Sequence, residues 1–567
     1  MKRYLGNYFT KGCALVMTVA VAAGALTGCG KTEIQEKAET GSVTSEAAEP
    51  SSDEELITLT VRITAPDPIP GIQDNRVMKA VEDKFGVLVD YSHSDDSINA
   101  TSLAAGDLPD IIQVYSTEID TYIEGGHVIA LDDLVSQYGQ DIIKNASDSL
   151  EFSKNYITPE KFKGTLYGLI GGNYLVKDDV APQYNYVYGP MVPWNFYAEA
   201  GYPEFKTTEE YLDVLEEIQT AHPKTEDGKS VYAFCGWNDW GIWPFIVPYC
   251  FSRGYMNGDF YIFDAEGNLQ PMFGEEAVLC KESFKMYNQA YQRGIYDPES
   301  FTMKYTDYET KRKNNQVLAP QAGGDGYFLI PGSAPVVWEG YGSILAGSCD
   351  RVLMISKNCK YPEKAMELIN YLYTLEGANL FYDGIEGIDW AMEDGKRELT
   401  SETIQERLNN PNYPLETGVG IYHSLVGLSP NTKHEDGNYI DLMTSEKAMK
   451  ERVTEVDKGF CDYYQVSYPG EAFQKAAEEG KCNIQFFNTT WQALMPDMPD
   501  DIKLIKGKIE NYSLDFVAKL ILSETDEEFE KNWETGNKEL EEMEFTEFYR
   551  WNQEANQKAL EALKSLK

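Results

Sequence analysis

Cations, histidines and paired cysteines are scarce in this sequence. Only 49 Lys and Arg stand against 92 Asp and Glu in 567 residues, a net charge of −43. A surface that acidic repels phosphate backbones and anionic head groups, which argues against nucleic acid and a peripheral lipid surface as partners, while a neutral ligand is indifferent to the field. The five histidines (His93, His127, His222, His423, His434) are scattered, with no HExxH or HxH spacing, which argues against a zinc hydrolase. Nine cysteines include no CxxC pair. Cys13 and Cys29 lie near the start. The other seven (Cys235, Cys250, Cys280, Cys349, Cys359, Cys461, Cys482) are an odd set that indicates neither a disulfide framework nor a zinc site; most read as small buried hydrophobes, with one or two disulfides left open in an oxidising location. No fixed-period repeat occurs, which disfavours a solenoid or propeller. The longest apolar run, at the N-terminus, is shorter than a bilayer-spanning helix needs, and no run beyond it is long enough to cross a bilayer.

That N-terminal stretch is informative. Lys2, Arg3 and Lys11 precede an uncharged, mostly apolar run from Gly12 to Gly28, and then comes Cys29. A positive n-region, a short apolar segment and small residues before a cut describe a secretory signal. Leu26-Thr27-Gly28-Cys29 resembles the lipobox of bacterial lipoproteins, which implies cleavage before Cys29 and diacylglycerol on its sulfur; an ordinary signal peptide with a chance cysteine is the plainer alternative. Residues 1–28 are therefore read as a lipoprotein signal, leaving about 540 residues, enough for two to four domains. Losing Lys2, Arg3 and Lys11 takes the net charge from −43 to about −46. Residues 29–55, polar and rich in Glu, Ser and Thr, offer too little apolar surface to offset ordering and read as a disordered linker.

The folded part begins at Leu56. Residues 56–64 alternate apolar and β-branched side chains and read as a strand; Asn75–Phe85 has helical spacing at Val77, Ala80, Val81 and Phe85 and stops at Gly86; Val87–Tyr91 is a second strand; a Gly/Pro turn then leads into a third over Ile111–Val114. Strand, helix, strand, turn, strand opens a parallel α/β sheet. Further helices are predicted at Thr208–Ala221, with Thr207 and Glu210 as a capping box, at Glu276–Arg293, Ser401–Leu408 and Ser445–Lys458, and through the acidic tail from Asp500, where Ile502, Ile505, Ile509, Tyr512, Phe516 and Leu520 keep apolar spacing.

Six segments, in order, resemble the extracellular solute-binding proteins of carbohydrate ABC importers in their Gram-positive lipoprotein form. Ala105-Gly106-Asp107-Leu108-Pro109-Asp110-Ile111 resembles an SGDLPDI turn. The stretch Gly125 to Leu134, ending Leu131-Asp132-Asp133-Leu134, resembles a G-x-I-x-x-LDDL helix start. Gly164-Thr165-Leu166-Tyr167-Gly168-Leu169 resembles DGKxYGLP, with Thr165 and Ile170 where Lys and Pro are usual. Phe205 to Tyr211 resembles a P-x-T-x-x-E-Y helix cap, Ile355 to Ala365 an I-x-K-x-x-K-x-PE-x-A helix entry, and Tyr382-Asp383-Gly384-Ile385-Glu386-Gly387-Ile388-Asp389-Trp390 the YG-x-EG-x-x-W loop. The resemblance implies a periplasmic-binding-protein-like α/β fold: two α/β lobes joined by crossover hinge segments, with a helical C-terminal region. Lobe 1 is expected over 56–180, completed by about 345–390, and lobe 2 over 181–344, completed by about 391–567. It also implies an extracytoplasmic monomer that works with permease subunits and meets the membrane through its lipid only. No cofactor is expected. Where many relatives carry a calcium loop, residues 222–229 hold two lysines and too few aspartates for a hard-cation cage.

Aromatics make up 13% of the chain, including 38 Tyr and 9 Trp; the excess suits recognition surfaces, while ordinary cores and edges account for most of these rings. A neutral sugar needs flat aromatic platforms beside bidentate polar groups. Trp237, Asp239, Trp240 and Trp243 form the densest such group, bounded by glycines; three indoles in seven residues are poor core design, because a buried indole N–H needs a partner. Trp338, Glu339 and Tyr341 follow an apolar stretch near a lobe crossing, and Asp389 and Trp390 sit in the Gly-rich loop that the resemblance makes ligand-facing. Asp67, Tyr115, Trp194 and Asn195 are weaker candidates at predicted strand ends and loops, and Glu209/Glu210 and Glu527/Glu528 read as caps or solvated faces. The expected function is capture of a carbohydrate, an oligosaccharide by preference, for an ABC permease, without catalysis. The alternatives are a lipid-anchored glycoside hydrolase, for which Asp239 and Glu339 could serve as paired carboxylates, and a surface sensor or adhesin.

Overall fold

The computed structural model describes residues 56–64, 69–93, 96–116, 118–175, 181–324, 326–342, 347 and 351–566, with side chains at 96 and 97 omitted. The signal and linker readings, Cys29, Asp67 and Cys349 therefore lie outside the described residues.

The N-terminal elements form as the residue pattern predicts. Strand Ile57–Ile63 runs parallel to Val87–His93, with Ile57 opposite Val87 and Ile63 opposite His93, and parallel to Ile111–Tyr115 on its other side. Its alternate residues Leu59, Val61 and Ile63 are buried. The intervening helix, Arg76–Phe85, is capped by the Asn75 side chain, which accepts from the Met78 N–H, and ends at Gly86, whose φ of 66° needs no Cβ to avoid strain. The Gly-Asp-Leu-Pro-Asp turn is held by Asp110, whose carboxylate accepts from both the backbone N–H (2.9 Å) and the hydroxyl (2.7 Å) of Thr60. Six strands complete the sheet in the order 71–72, 87–93, 57–63, 111–115, 351–355, 169–170; strand Arg351–Ile355 returns antiparallel to Ile111–Tyr115.

The first lobe's core gathers Val61, Val77, Val89, Leu353, Ile369 and Phe381, among others. It also takes in Tyr413, Ile421, Tyr422, Leu425, Leu428 and Ile440, residues expected in lobe 2. The physical reason is specific: Tyr422 stacks on Tyr91 (5.0 Å), and its hydroxyl donates to Gln73 (2.8 Å), so this late segment seals the sheet's first edge.

The second lobe is richer in helix, and its strands pair in twos and threes: Met191–Pro193 with Tyr327–Leu329, Val336–Gly342 with Asn483–Asn488, and a small sheet over 256–271. One large core joins them to the helix Val278–Gln292 and to three C-terminal helices, Asp500–Ile521, Asp526–Glu542 and Phe545–Ser565. Thr207 and Glu210 do form the capping box of Thr208–Ala221. The single helix predicted over Ser445–Lys458 is instead two, Glu446–Glu451 and Glu455–Tyr464, because Thr454 leaves helical geometry and caps the second with Asp457. No helix of the described residues is long and apolar enough to cross a membrane.

Candidate functional site

The chain passes from the first lobe to the second after Leu175, back before Arg351, and over a third time between Ile440 of the first core and Phe460 of the second. Aromatic residues crowd the second-lobe side of the first two passages. Tyr188, shortly after the first, lies edge-on to Trp338 (5.0 Å), which comes just before the second. Trp338 stacks on Phe251 (5.7 Å) and neighbours Tyr341 (6.2 Å). On its other side Tyr188 meets Trp243 (6.4 Å), which leads to Trp240 (5.3 Å) and Trp237 (5.9 Å). The structure therefore joins two of the sequence's candidate groups, Trp237–Trp243 and Trp338–Tyr341, into one run of rings. The link, Tyr188, is missing from the sequence reading; its signal is the alternation Tyr184, Tyr186, Tyr188 beside the crossing.

Within that run the indoles differ. Trp237 is 2% exposed, wedged between Trp240, Trp243, Tyr305 and Tyr308, with the Tyr308 ring only 4.4 Å away. It belongs to the core, and its indole N–H has no hydrogen-bond partner. Trp240 and Trp243 are each 8% exposed, and Trp240 stacks on Tyr305 at 4.5 Å. Asp239 is exposed, but its carboxylate accepts from the Tyr305 N–H (2.9 Å) at the start of helix Tyr305–Lys313; it holds Tyr305 in place under Trp240. The loop is pinned further by the Asn238 N–H to the Met303 carbonyl (2.9 Å).

Strand Val336–Gly342 carries the more open half of the run. Opposite Asn483–Asn488 its register slips between Trp338 and Gly340, so Glu339 is a bulged residue with no opposite number. Bulges re-aim side chains and are common beside binding sites. Trp338 is half-buried, and its indole nitrogen is enclosed without a partner; an unmade buried hydrogen bond costs about 1–3 kcal/mol. Burial pushes the Glu339 carboxyl from 4.5 up to about 7. A carboxyl protonated in the native state up to pH 7 but ionised in the unfolded chain above about 4.5 makes the native state bind the extra proton, so its contribution to stability falls as pH rises through that window. Melting temperature measured against pH is expected to decline between about 5 and 7 more steeply in the wild type than in Glu339→Gln. Parallel curves for the two proteins would show that Glu339 is solvated and ordinary.

The remaining candidates lie elsewhere. Asp389 is 1% exposed and fully engaged: it pairs with Arg76, accepts from the Tyr413 hydroxyl (2.7 Å) and accepts from the Ile385 N–H (2.9 Å). Gly384 makes this possible, since a Cβ there would sit 2.2 Å from an Asp389 oxygen. Trp390 donates to the Gly384 carbonyl (3.2 Å) and packs in a small hairpin cluster. The loop that the resemblance makes ligand-facing is thus a latch inside the first lobe. Tyr115 lies beneath the Arg351 guanidinium (5.5 Å). Trp194 is 3% exposed in a separate aromatic nest with Phe328, Phe460 and Tyr202, and Asn195 beside it is exposed. In the 222–229 loop, Lys229 pairs with Asp227 at 2.9 Å.

Residues 85–379, more than half the chain, match the family of bacterial extracellular solute-binding proteins. The chain belongs to that family. No curated protein matches it significantly. Among solved structures, this solute-binding protein is similar to the Streptococcus pneumoniae ABC-transporter substrate-binding protein FusA in complex with kestose, at 15% identity and a TM-score of 0.56, over 90% of this chain and 100% of that one. It is also similar to an HMO-binding, ABC-transporter-associated solute-binding protein from Bifidobacterium longum infantis (13% identity, TM-score 0.55, 88% and 99% covered). The alginate-binding protein AlgQ2 without calcium ion gives 14% identity, a TM-score of 0.52, and 89% and 98% coverage. At such identities the likeness is one of fold: two α/β lobes of the periplasmic-binding-protein type with a helical C-terminal region.

Proposed function

We propose that this solute-binding protein captures a carbohydrate, an oligosaccharide by preference, between its two lobes and passes it to an ABC permease, working as a monomer tethered outside the membrane through lipid on Cys29. The observation that carries the reading is the run Trp240–Trp243–Tyr188–Trp338–Tyr341 at the first two passages between lobes, with Glu339 beside it. Rings of this kind cover the C–H faces of a pyranose or furanose, and Glu339 suits its hydroxyls. The kestose held by FusA and the names of the HMO-binding and alginate-binding proteins support the same class of ligand. Ligand in the cleft would bias the lobes toward closure, the shape difference that a permease reads.

Catalysis forms no part of the proposal. A glycosidase needs two carboxylates flanking the scissile bond; Asp239 is committed to the Tyr305 N–H, so Glu339 stands without that partner.

Calorimetry with neutral plant and host oligosaccharides tests the reading, with product analysis run alongside. Binding without turnover is expected, and steady release of shorter glycans would replace it with the hydrolase reading. Trp338→Ala is expected to weaken the bound sugar tenfold or more, about 1.4 kcal/mol, with the fold retained because the ring is only half-buried. Equal affinities in variant and wild type would remove Trp338 from the site.

A further inference from the structure

Two cysteines of the second lobe meet in its core. Cys250 lies on the short helix Val247–Phe251, which follows the tryptophan loop, and Cys280 on the long helix Val278–Gln292. They are 1% and 0% exposed. The faces that carry them are fixed against each other by three hydrogen bonds. Tyr249, next to Cys250, donates its hydroxyl to Glu282 (3.2 Å); Ser283, one turn after Cys280, donates to the Phe245 carbonyl (2.7 Å); and Tyr287, a further turn on, donates to the Pro244 carbonyl (3.2 Å). Positions 280, 283 and 287 share one helix face, so Cys280 is turned toward the Val247–Phe251 helix. The neighbouring Cys250 thiol, together with burial, pushes the Cys280 thiol well above its ordinary value. The other described cysteines, Cys235, Cys359, Cys461 and Cys482, are also free thiols, and for Cys235 and Cys482 the contacts run to Met303, Asp297 and backbone carbonyls.

We infer that Cys250 and Cys280 are a disulfide site, closed when the chain folds outside the cytoplasm. The family's extracellular setting is oxidising, where juxtaposed thiols cross-link and stay cross-linked. The oxidant is a disulfide-bearing exported oxidoreductase. One cysteine, as thiolate, attacks a sulfur of the oxidoreductase disulfide and gives a mixed disulfide; the second cysteine displaces the oxidoreductase. The two cysteine thiols give up two electrons and two protons, and the oxidoreductase leaves as its dithiol. Both sulfurs are sealed in the finished core, so the exchange occurs before the helices close. The bond would clip a loop of about thirty residues and anchor the helix that supports Trp237–Trp243.

The test uses the wild-type chain exported from a bacterial host, denatured and alkylated without reductant, then proteolysed. A linked pair of peptides containing Cys250 and Cys280 is expected, and reduction should part them. Full alkylation of both cysteines without reductant, or linkage of either to another cysteine, overturns the inference. A second readout is thermal. Reductant present during refolding is expected to lower the wild-type melting temperature by about 5 °C and to leave Cys250→Ala/Cys280→Ala unmoved. Equal responses of the two proteins to reductant would likewise count against the bond.

Discussion

Trp237→Ala is expected to cost the protein about 3–5 kcal/mol of stability, the range for truncating a large aromatic in a packed core. The ring is 2% exposed and touches four other aromatic rings, at centroid distances from 4.4 to 5.9 Å. A cavity of that size cannot close by moving one neighbour, because Tyr305 is held by Asp239 and the Tyr308 hydroxyl accepts from the Gln321 backbone N–H (3.3 Å). One term works the other way: the unpartnered indole N–H is lost with the ring, which returns part of a penalty of about 1–3 kcal/mol. The net effect therefore lies toward the lower end. Trp237→Phe separates the two contributions, since it keeps most of the ring and deletes the N–H; a change under about 1.5 kcal/mol is expected. Denaturant unfolding of both variants measures this. If Trp237→Ala unfolds like the wild type and loses only sugar affinity, the indole is a ligand platform and the core assignment is wrong.

The contrast between Trp237 and Trp338 shows what local sequence can and cannot carry. Both indoles sit in glycine-bounded, aromatic stretches, and composition alone marks both as recognition residues. What separates them is distant: Tyr305 and Tyr308, more than sixty positions on, fold over Trp237, while Trp338 lies on a strand whose pairing partner is Asn483–Asn488 and whose far end leads back to the first lobe. No window of a dozen residues contains those facts. Elements decided by short-range physics were legible. Alternation gave the strand Ile57–Ile63, and the Thr207–Glu210 box marked its helix to the residue. Thr454 was a second capping box, with Asp457 three residues on, and its signal was present but masked by the apolar spacing on either side. The placing of residues 413–440 was not legible, because a segment's membership of a core is set by what it finally covers. Tyr422 reaches Tyr91 across more than three hundred residues.

The same distance governs Asp389, whose partner Arg76 lies 313 positions earlier. Asp389→Ala is expected to destabilise the first lobe by about 3–5 kcal/mol, the cost of breaking a buried ion pair from one side. Three groups lose their acceptor together: the Arg76 guanidinium, the Tyr413 hydroxyl and the Ile385 N–H. Arg76 keeps 32% of its side chain exposed, so water recovers part of its solvation and the effect falls toward 3 kcal/mol. The buried Tyr413 has no such recourse. The helix Arg76–Phe85 and the loop Tyr382–Trp390 would then loosen from one another, and with them the seal over the sheet's first edge. Arg76→Ala tests whether the pair acts as a unit: the two single changes should not add, and the double variant should lie well short of their sum. A ligand-facing Asp389 predicts the opposite pattern, with melting temperature held and sugar affinity lost. The latch predicts a lowered melting temperature and, for protein kept folded in the cold, unchanged affinity, because the carboxylate lies in the interior of the first lobe, apart from the aromatic run at the passages between lobes.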